Sequence, residues 1–369
     1  MMKKVVAAFL AVFAMLSFAG CGRMKMVSPR AEQKLKVVLC VARRNDLSFQ
    51  QSAYEGLLRV EKELGQYYET ELREMGNDTA VWEQNFIDAA ASGASFVAGM
   101  GYQNKQIFET LPLKYPNTRF ILFDQAVDYS SGNLSNVLTV LFDANESGFL
   151  AGAVAAYWTN SGKALNKEKI IGFVGGMNSI PINNFLVGYA EGARRVDRAI
   201  QIKTAYIGDF MDTERAKTLA LAQIAEGADI VFQVAGSAGN GVIEAASEID
   251  GVMAIGVDAD QYQTLAGTGI NQAVITSSLK RLDNALFKIM SDYANDPASI
   301  PFGTTVTYGL GEAAVGIVFN DNLSAHLLSQ DIASVQDFLV KIQSGDIRVS
   351  RADRLTPAEL DAIVNNTNK

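Results

Sequence analysis

The sequence predicts an α/β protein built from two doubly wound parallel-sheet domains joined by a hinge with several crossings. Three observations carry this. Short β-branched runs alternate with amphipathic stretches from Leu35 onward, as parallel sheets with covering helices require. The runs are apolar almost without break, the pattern of strands buried on both faces. They also fall into two sets, separated by "ESGFLAGAVAAYW" and the polar break "TNSGKALNKEK". At 369 residues and 49% hydrophobic, the chain can bury two cores of ordinary size.

The predicted strands are residues 35–41, 95–99, 119–123, 169–174, 202–207, 230–234, 252–257 and 274–277. The predicted helices are 49–64, 81–92, 182–196, 213–226, 240–248 and 279–293. Strand 274–277 and its helix are expected to return to the first domain. The first lobe is then 35–142 with 274–305, and the second 143–273 with 306–369.

The first twenty residues read as a leader rather than as fold. "MMKK" is a positive n-region, and "VVAAFLAVFAMLSFAG" an apolar h-region too short for a membrane span. Ala19-Gly20-Cys21 resembles the lipobox of bacterial lipoproteins, with Phe18 where Leu is usual. The resemblance implies a lipid on Cys21, with residues 21–34 as a polar tether and the protein at the outer face of a cell membrane. Cys40 is then the only other cysteine, so no disulfide framework is expected, and its apolar strand makes it a small buried hydrophobe.

A formal charge of -8 and a pI near 4.9 argue against nucleic acid as partner, since phosphate binding needs clustered Lys and Arg. Catalysis is poorly supported. His326 is the single histidine, in the helix-like apolar setting "NLSAHLLSQ", where a structural role is expected. "AGSAG" lacks the first glycine of G-x-S-x-G, and "GSAGNG" has no Walker lysine after it. One histidine and one core cysteine make a metal site unexpected, and no cofactor is called for.

In open α/β sheets ligands bind outside the carboxyl ends of the strands. Those positions hold Asn45, Asp46 and Phe49 after the first strand, and Asp124 after the third. In the second set they hold Phe210, the glycine-rich turn with Asn240, then Asp258, with Lys280 after the last strand. Phe49 and Phe210 belong to opposite domains, so across a closing cleft they could sandwich a flat ring. Carboxylates and a lysine suit hydroxyls and heteroaromatic edges. Arg43 and Arg44 either cap the entrance or face water.

The motifs "NDLSFQQSAYEGL", "GFVGGMNSIP", "YIGDFMD", "ADIVFQVAGSAGNGVIEAA", "AIGVDADQ" and "TSSLKRLDNALF" together resemble basic-membrane-protein-type, purine-nucleoside-receptor-like lipoproteins of the type I periplasmic binding protein fold. That resemblance implies a monomeric, non-enzymatic ligand-binding subunit of an ABC importer, with permease subunits as partners. It implies Phe49 and Phe210 as stacking rings, Asp46 and Asp124 at the base, Asp258 and Lys280 at the ribose, and Asn240 as a further contact. The usual Asp-Asp pair reads Asn45-Asp46 here, Gln50 replaces an Asn, and "GGM-Asp-Ile-Pro" reads Met177-Asn178-Ser179-Ile180-Pro181. These departures lie at the ring end, so riboflavin or another flat hydroxylated heteroaromatic stands as the alternative to a purine nucleoside. A sensor ectodomain for such a ligand is the alternative to transport.

Overall fold

The computed structural model describes residues 34–365; the leader and Cys21 lie outside them. The first lobe starts with β1 (Leu35–Val41), α1 (Phe49–Leu64), β2 (Tyr68–Glu74), α2 (Trp82–Ala91) and β3 (Phe96–Met100), then α3 (Lys105–Lys114), β4 (Arg119–Phe123) and β5 (Val137–Phe142). Helix α4 (Ala144–Thr159) crosses to the second lobe. There follow β6 (Ile170–Gly175), α5 (Ile180–Val196), β7 (Gln201–Tyr206), α6 (Thr213–Ala225) and β8 (Ala228–Val234). The lobe continues through α7 (Asn240–Ser247), β9 (Met253–Asp258), the single turn α8 (Gln261–Thr264) and β10 (Val274–Lys280). The chain returns with α9 (Leu282–Asn295) and β11 (Thr304–Tyr308). It crosses a third time into β12 (Val315–Ile317), α10 (Asp321–His326), α11 (Ser329–Gln343) and α12 (Pro357–Asn365).

Among the described residues the strands form two six-stranded sheets, β11-β5-β4-β3-β1-β2 and β12-β10-β9-β8-β6-β7. All pairings are parallel except β10 with β12. The orders match position for position, so β4 and β9 are equivalent strands of the two lobes. Their ends share a backbone feature. Asp124 after β4 and Asp258 closing β9 have φ of 63° and 65°, a left-handed conformation that aspartate tolerates better than most side chains.

The lobe boundaries depart from expectation. Residues 274–280 do not return to the first sheet. They extend the second, pairing Val274 with Ala254 through Leu279 with Asp258. The link from β9 is short, so the nearest open edge is that of its own sheet. The strand runs to Lys280, and the helix starts at Leu282 rather than at 279. That helix does return: a Cβ on Gly56 of α1 would stand 2.8 Å from Cα of Asp283, so α1 and α9 pack nearly backbone to backbone. β11 then joins the first sheet, so the chain rejoins the second lobe only after Tyr308.

The crossing helix α4 is seated by glycines. Gly148 and Gly152 on α4 face Gly188 and Gly192 on α5, and a Cβ on any of them would fall between 1.9 and 2.4 Å from a carbonyl oxygen of the other helix. Apolar residues cover almost every side of α4. Its sequence accordingly shows no amphipathic stripe, as for a helix buried all round. No helix among the described residues is long and apolar enough to cross a membrane.

Gly188→Ala should therefore force these helices apart. Overpacking costs about 1–3 kcal/mol and more where backbone must move. The denaturant midpoint should fall with an unchanged slope; an unaltered midpoint would show that the helices have slack.

Candidate functional site

A cavity of about 460 Å³ lies between the lobes, walled by residues just past the carboxyl ends of strands from both sheets. Lys280 closes its floor. It is 3% exposed, its ammonium 2.9 Å from Asp124 Oδ2 and 5.2 and 5.0 Å from the ring centroids of Phe49 and Phe185. A buried ammonium is stable only where carboxylates and ring faces replace water, and both are supplied here. Beside it, the Ser48 hydroxyl donates to Asp258 Oδ2 at 2.6 Å. Ser48 and Asp124 belong to the first lobe, Asp258 and Lys280 to the second. These two bonds tie the lobes together at the cleft floor.

Asp258 is 5% exposed. Burial pushes its carboxyl up to about 6; the Lys280 charge and the Ser48 hydroxyl pull it back, while Asp46 and Asp124 push further. The floor thus holds one ammonium between two carboxylates, an excess of acceptors suited to hydroxyl donors.

Phe49 and Phe210 both wall the cavity. Phe49 is the first residue of α1. Phe210 is held by its turn. The Asp209 carboxylate accepts from the Met211 and Asp212 amides at 2.8 and 2.9 Å, and the Ala238 amide donates to the Phe210 carbonyl at 3.0 Å. Gly176 clears the space for the ring, since a Cβ there would come within 2.4 Å of it.

Asp46 walls the cavity too, but its carboxylate accepts from the Ser48, Gln50 and Gln51 amides at 3.1, 2.9 and 3.0 Å. It caps the start of α1, satisfying amides that a helix leaves open. Burial raises its pKa, with those amides opposing. Gln50 is engaged as well, accepting at Oε1 from the Ala42 and Arg43 amides. Two expected contacts are not brought in. Asn45 is exposed on the loop before the helix, and Asn240 opens α7; neither walls the cavity. The glycine-rich turn reaches it through Gly236 and Ser237 instead.

Both arginines of the entrance find partners. Arg43 reaches across the lip to within 3.5 Å of Met211 Sδ, and Arg44 pairs with Glu74 at 3.2 Å. His326 ends α10, packed against Trp158, its Nδ1 2.8 Å from the Asn322 carbonyl. Cys40 is buried as expected, yet it also walls the cavity; burial pushes its thiol up to about 12, so it is inert.

Several wall residues escaped the sequence reading. Phe185 stands at the floor, and Met75, Trp82, Met100 and Asn104 wall the first-lobe side. Gly101–Asn104 follow β3, and the strand-end rule applied there would have found them.

A family model described as ABC transporter substrate-binding protein PnrA-like matches residues 34–352. The "CD4+ T-cell-stimulating antigen" of Listeria innocua is 31% identical over 325 residues, 83% of this chain and 84% of the relative. The "ABC transporter nucleoside-binding protein BmpA" of Lactococcus lactis subsp. cremoris is 32% identical over 292 residues, 74% and 78% of the two chains. Among solved structures, an ABC transporter solute-binding protein from Aeropyrum pernix K1 aligns with TM-score 0.74 and 24% identity, over 90% of this chain and 99% of that one. The arabinose-binding protein AraP of Geobacillus stearothermophilus aligns at 0.59 and 14%, over 80% and 100%. These structures share the fold, two α/β lobes around a cleft. With the family model spanning most of its length, the chain belongs to the PnrA-like family of ABC transporter substrate-binding proteins.

Proposed function

We propose that this chain, anchored by a lipid on Cys21 at the outer face of a cell membrane, captures a flat heteroaromatic molecule bearing hydroxyls and delivers it to ABC permease subunits. A purine nucleoside is the first reading. The observation that carries it is the cavity itself, with a ring from each lobe on its walls and Asp124, Asp258 and Lys280 at its floor. The ring system stacks between Phe49 and Phe210. The hydroxylated end donates to Asp258 and Asp124 and accepts from Lys280. The nucleoside-binding name of the Lactococcus relative supports this choice.

Riboflavin is the second reading, favoured by the ring end. The nucleoside preference leaned on a free carboxylate at Asp46, and that carboxylate is occupied by backbone amides. Met75, Trp82 and Met100 add apolar surface to the first-lobe wall, which suits a larger ring system.

Calorimetry with inosine, guanosine, adenosine and riboflavin tests the class. At least one should bind saturably; binding of none would remove the reading. Phe49→Ala and Phe210→Ala should each weaken that ligand several-fold, since an aromatic pair is worth about 0.5–1.5 kcal/mol beyond area. Unchanged affinity in both would dismiss the sandwich.

Asp258 sets a pH dependence. A ligand hydroxyl favours the ionised carboxylate, so affinity should be full above about 6 and fall as the pH drops through that value. Asp258→Asn should flatten the profile and cost about tenfold to a hundredfold at neutral pH, the loss of a charge-assisted bond. A wild-type profile level from pH 5 to pH 8 would exclude Asp258 from the contact.

A further inference from the structure

One residue of the first-lobe wall carries a buried polar atom with no partner. Asn104, immediately before α3, is 1% exposed and walls the cavity. Its Nδ2 donates to the Met100 carbonyl at 2.6 Å, which fixes the amide's orientation. Oδ1 is therefore the remaining atom, and it is buried with no hydrogen-bond partner among the described residues. The side chain does not cap the helix it precedes, the usual employment of asparagine there. Buried acceptors are rarely left unpaired, and an orphan at a cavity wall is where a ligand donor or a water belongs.

Trp82, Cys40 and the two methionines of the same wall supply no substitute. The indole N–H of Trp82 is spent on the Gly76 carbonyl at 2.9 Å. Cys40, Met75 and Met100 are thiol and thioether, with at most a weak donor among them. The carboxylate of Asp46 already accepts three amides. Asn104 Oδ1 is thus a buried acceptor of this wall that no neighbour satisfies.

From this, and resting on the flat-ligand reading above, we infer that Asn104 Oδ1 accepts a hydrogen bond from a ring N–H, so that the cleft selects lactam- or imide-type heteroaromatics. A site built to pair a polar edge rejects the analogue that lacks it, because its own buried group is left unpaired. Carboxylate-lined ring sites favour edges with several donors. A single amide oxygen asks for one.

Two ligand pairs differing at that atom test it on the full chain: inosine against 1-methylinosine, and riboflavin against 3-methylriboflavin. In whichever pair binds, the N–H form should bind at least about tenfold tighter than its methylated counterpart. Asn104→Leu keeps the bulk and removes the acceptor. It should weaken the N–H form by a similar factor and leave the methylated form unchanged or improved. A purely steric role would instead leave the N–H form at wild-type affinity in the Leu variant, and that result overturns the assignment. So does equal wild-type binding of both members of a pair, a comparison that needs no variant to fold. In either case the flat-ligand class stands. Binding of adenosine with none of the N–H forms overturns this inference alone, whereas failure of these compounds and of guanosine and adenosine to bind to a cooperatively melting wild-type protein overturns the class itself and this inference with it.

Discussion

The burial of one ammonium group between the lobes governs the rest of the site. Lys280 sits at the end of β10 with almost no access to water, and a charge so placed must be compensated by what surrounds it. Compensation comes from both sides: Asp124 of the first lobe, Asp258 near by in the second, and the faces of Phe49 and Phe185. Neither lobe alone provides this. Separation of the lobes would expose Lys280 to water and break the Asp124 ion pair and the Ser48–Asp258 bond together. A buried pair is seldom a large net gain once desolvation is counted, so these contacts set geometry more than stability. A ligand offering hydroxyls to the same groups adds bonds that exist only when both lobes contribute, which is how a binding protein shifts its population toward the closed form.

The groups that form this floor are positioned by the topology. Equivalent strands of two sheets end in left-handed aspartates, and the three crossings bring those ends face to face. The glycine contact of α4 with α5 fixes the first crossing, and the contact of Gly56 with Asp283 fixes where the return helix lies. The aromatic walls are set more locally. Phe49 is fixed by the helix start that Asp46 caps, and Phe210 by the Asp209 turn over Gly176. Capping therefore uses up a carboxylate that would otherwise face the ring.

Most of the fold was legible because buried parallel strands write themselves as apolar runs. Residues 35–41 and 119–123 were bounded to the residue for that reason. β2 was not, because "YETELRE" is an edge strand carrying charge, and α4 was not, because a helix buried all round has no polar face to mark it. The placement of β10 turned on which sheet edge lay open, a tertiary fact that no local pattern records. At the site, Phe49, Asp124, Phe210, Asp258 and Lys280 were legible from the strand-end rule. Asp46 was legible as a site residue but not as a cap, since only the helix amides reveal that its oxygens are engaged. Asn45 and Asn240 were read from chain position and from the family resemblance; the loop leaves Asn45 exposed, and Asn240 opens α7 outside the cavity walls.

The account stands or falls on what the cleft holds in the cell. Purified protein denatured under mild conditions and its released small molecules identified by mass spectrometry give the most direct measurement. A flat heteroaromatic with a hydroxylated substituent, a nucleoside or riboflavin, is expected at a stoichiometry approaching one per chain. An aliphatic sugar, an amino acid or a peptide recovered at that stoichiometry would contradict it.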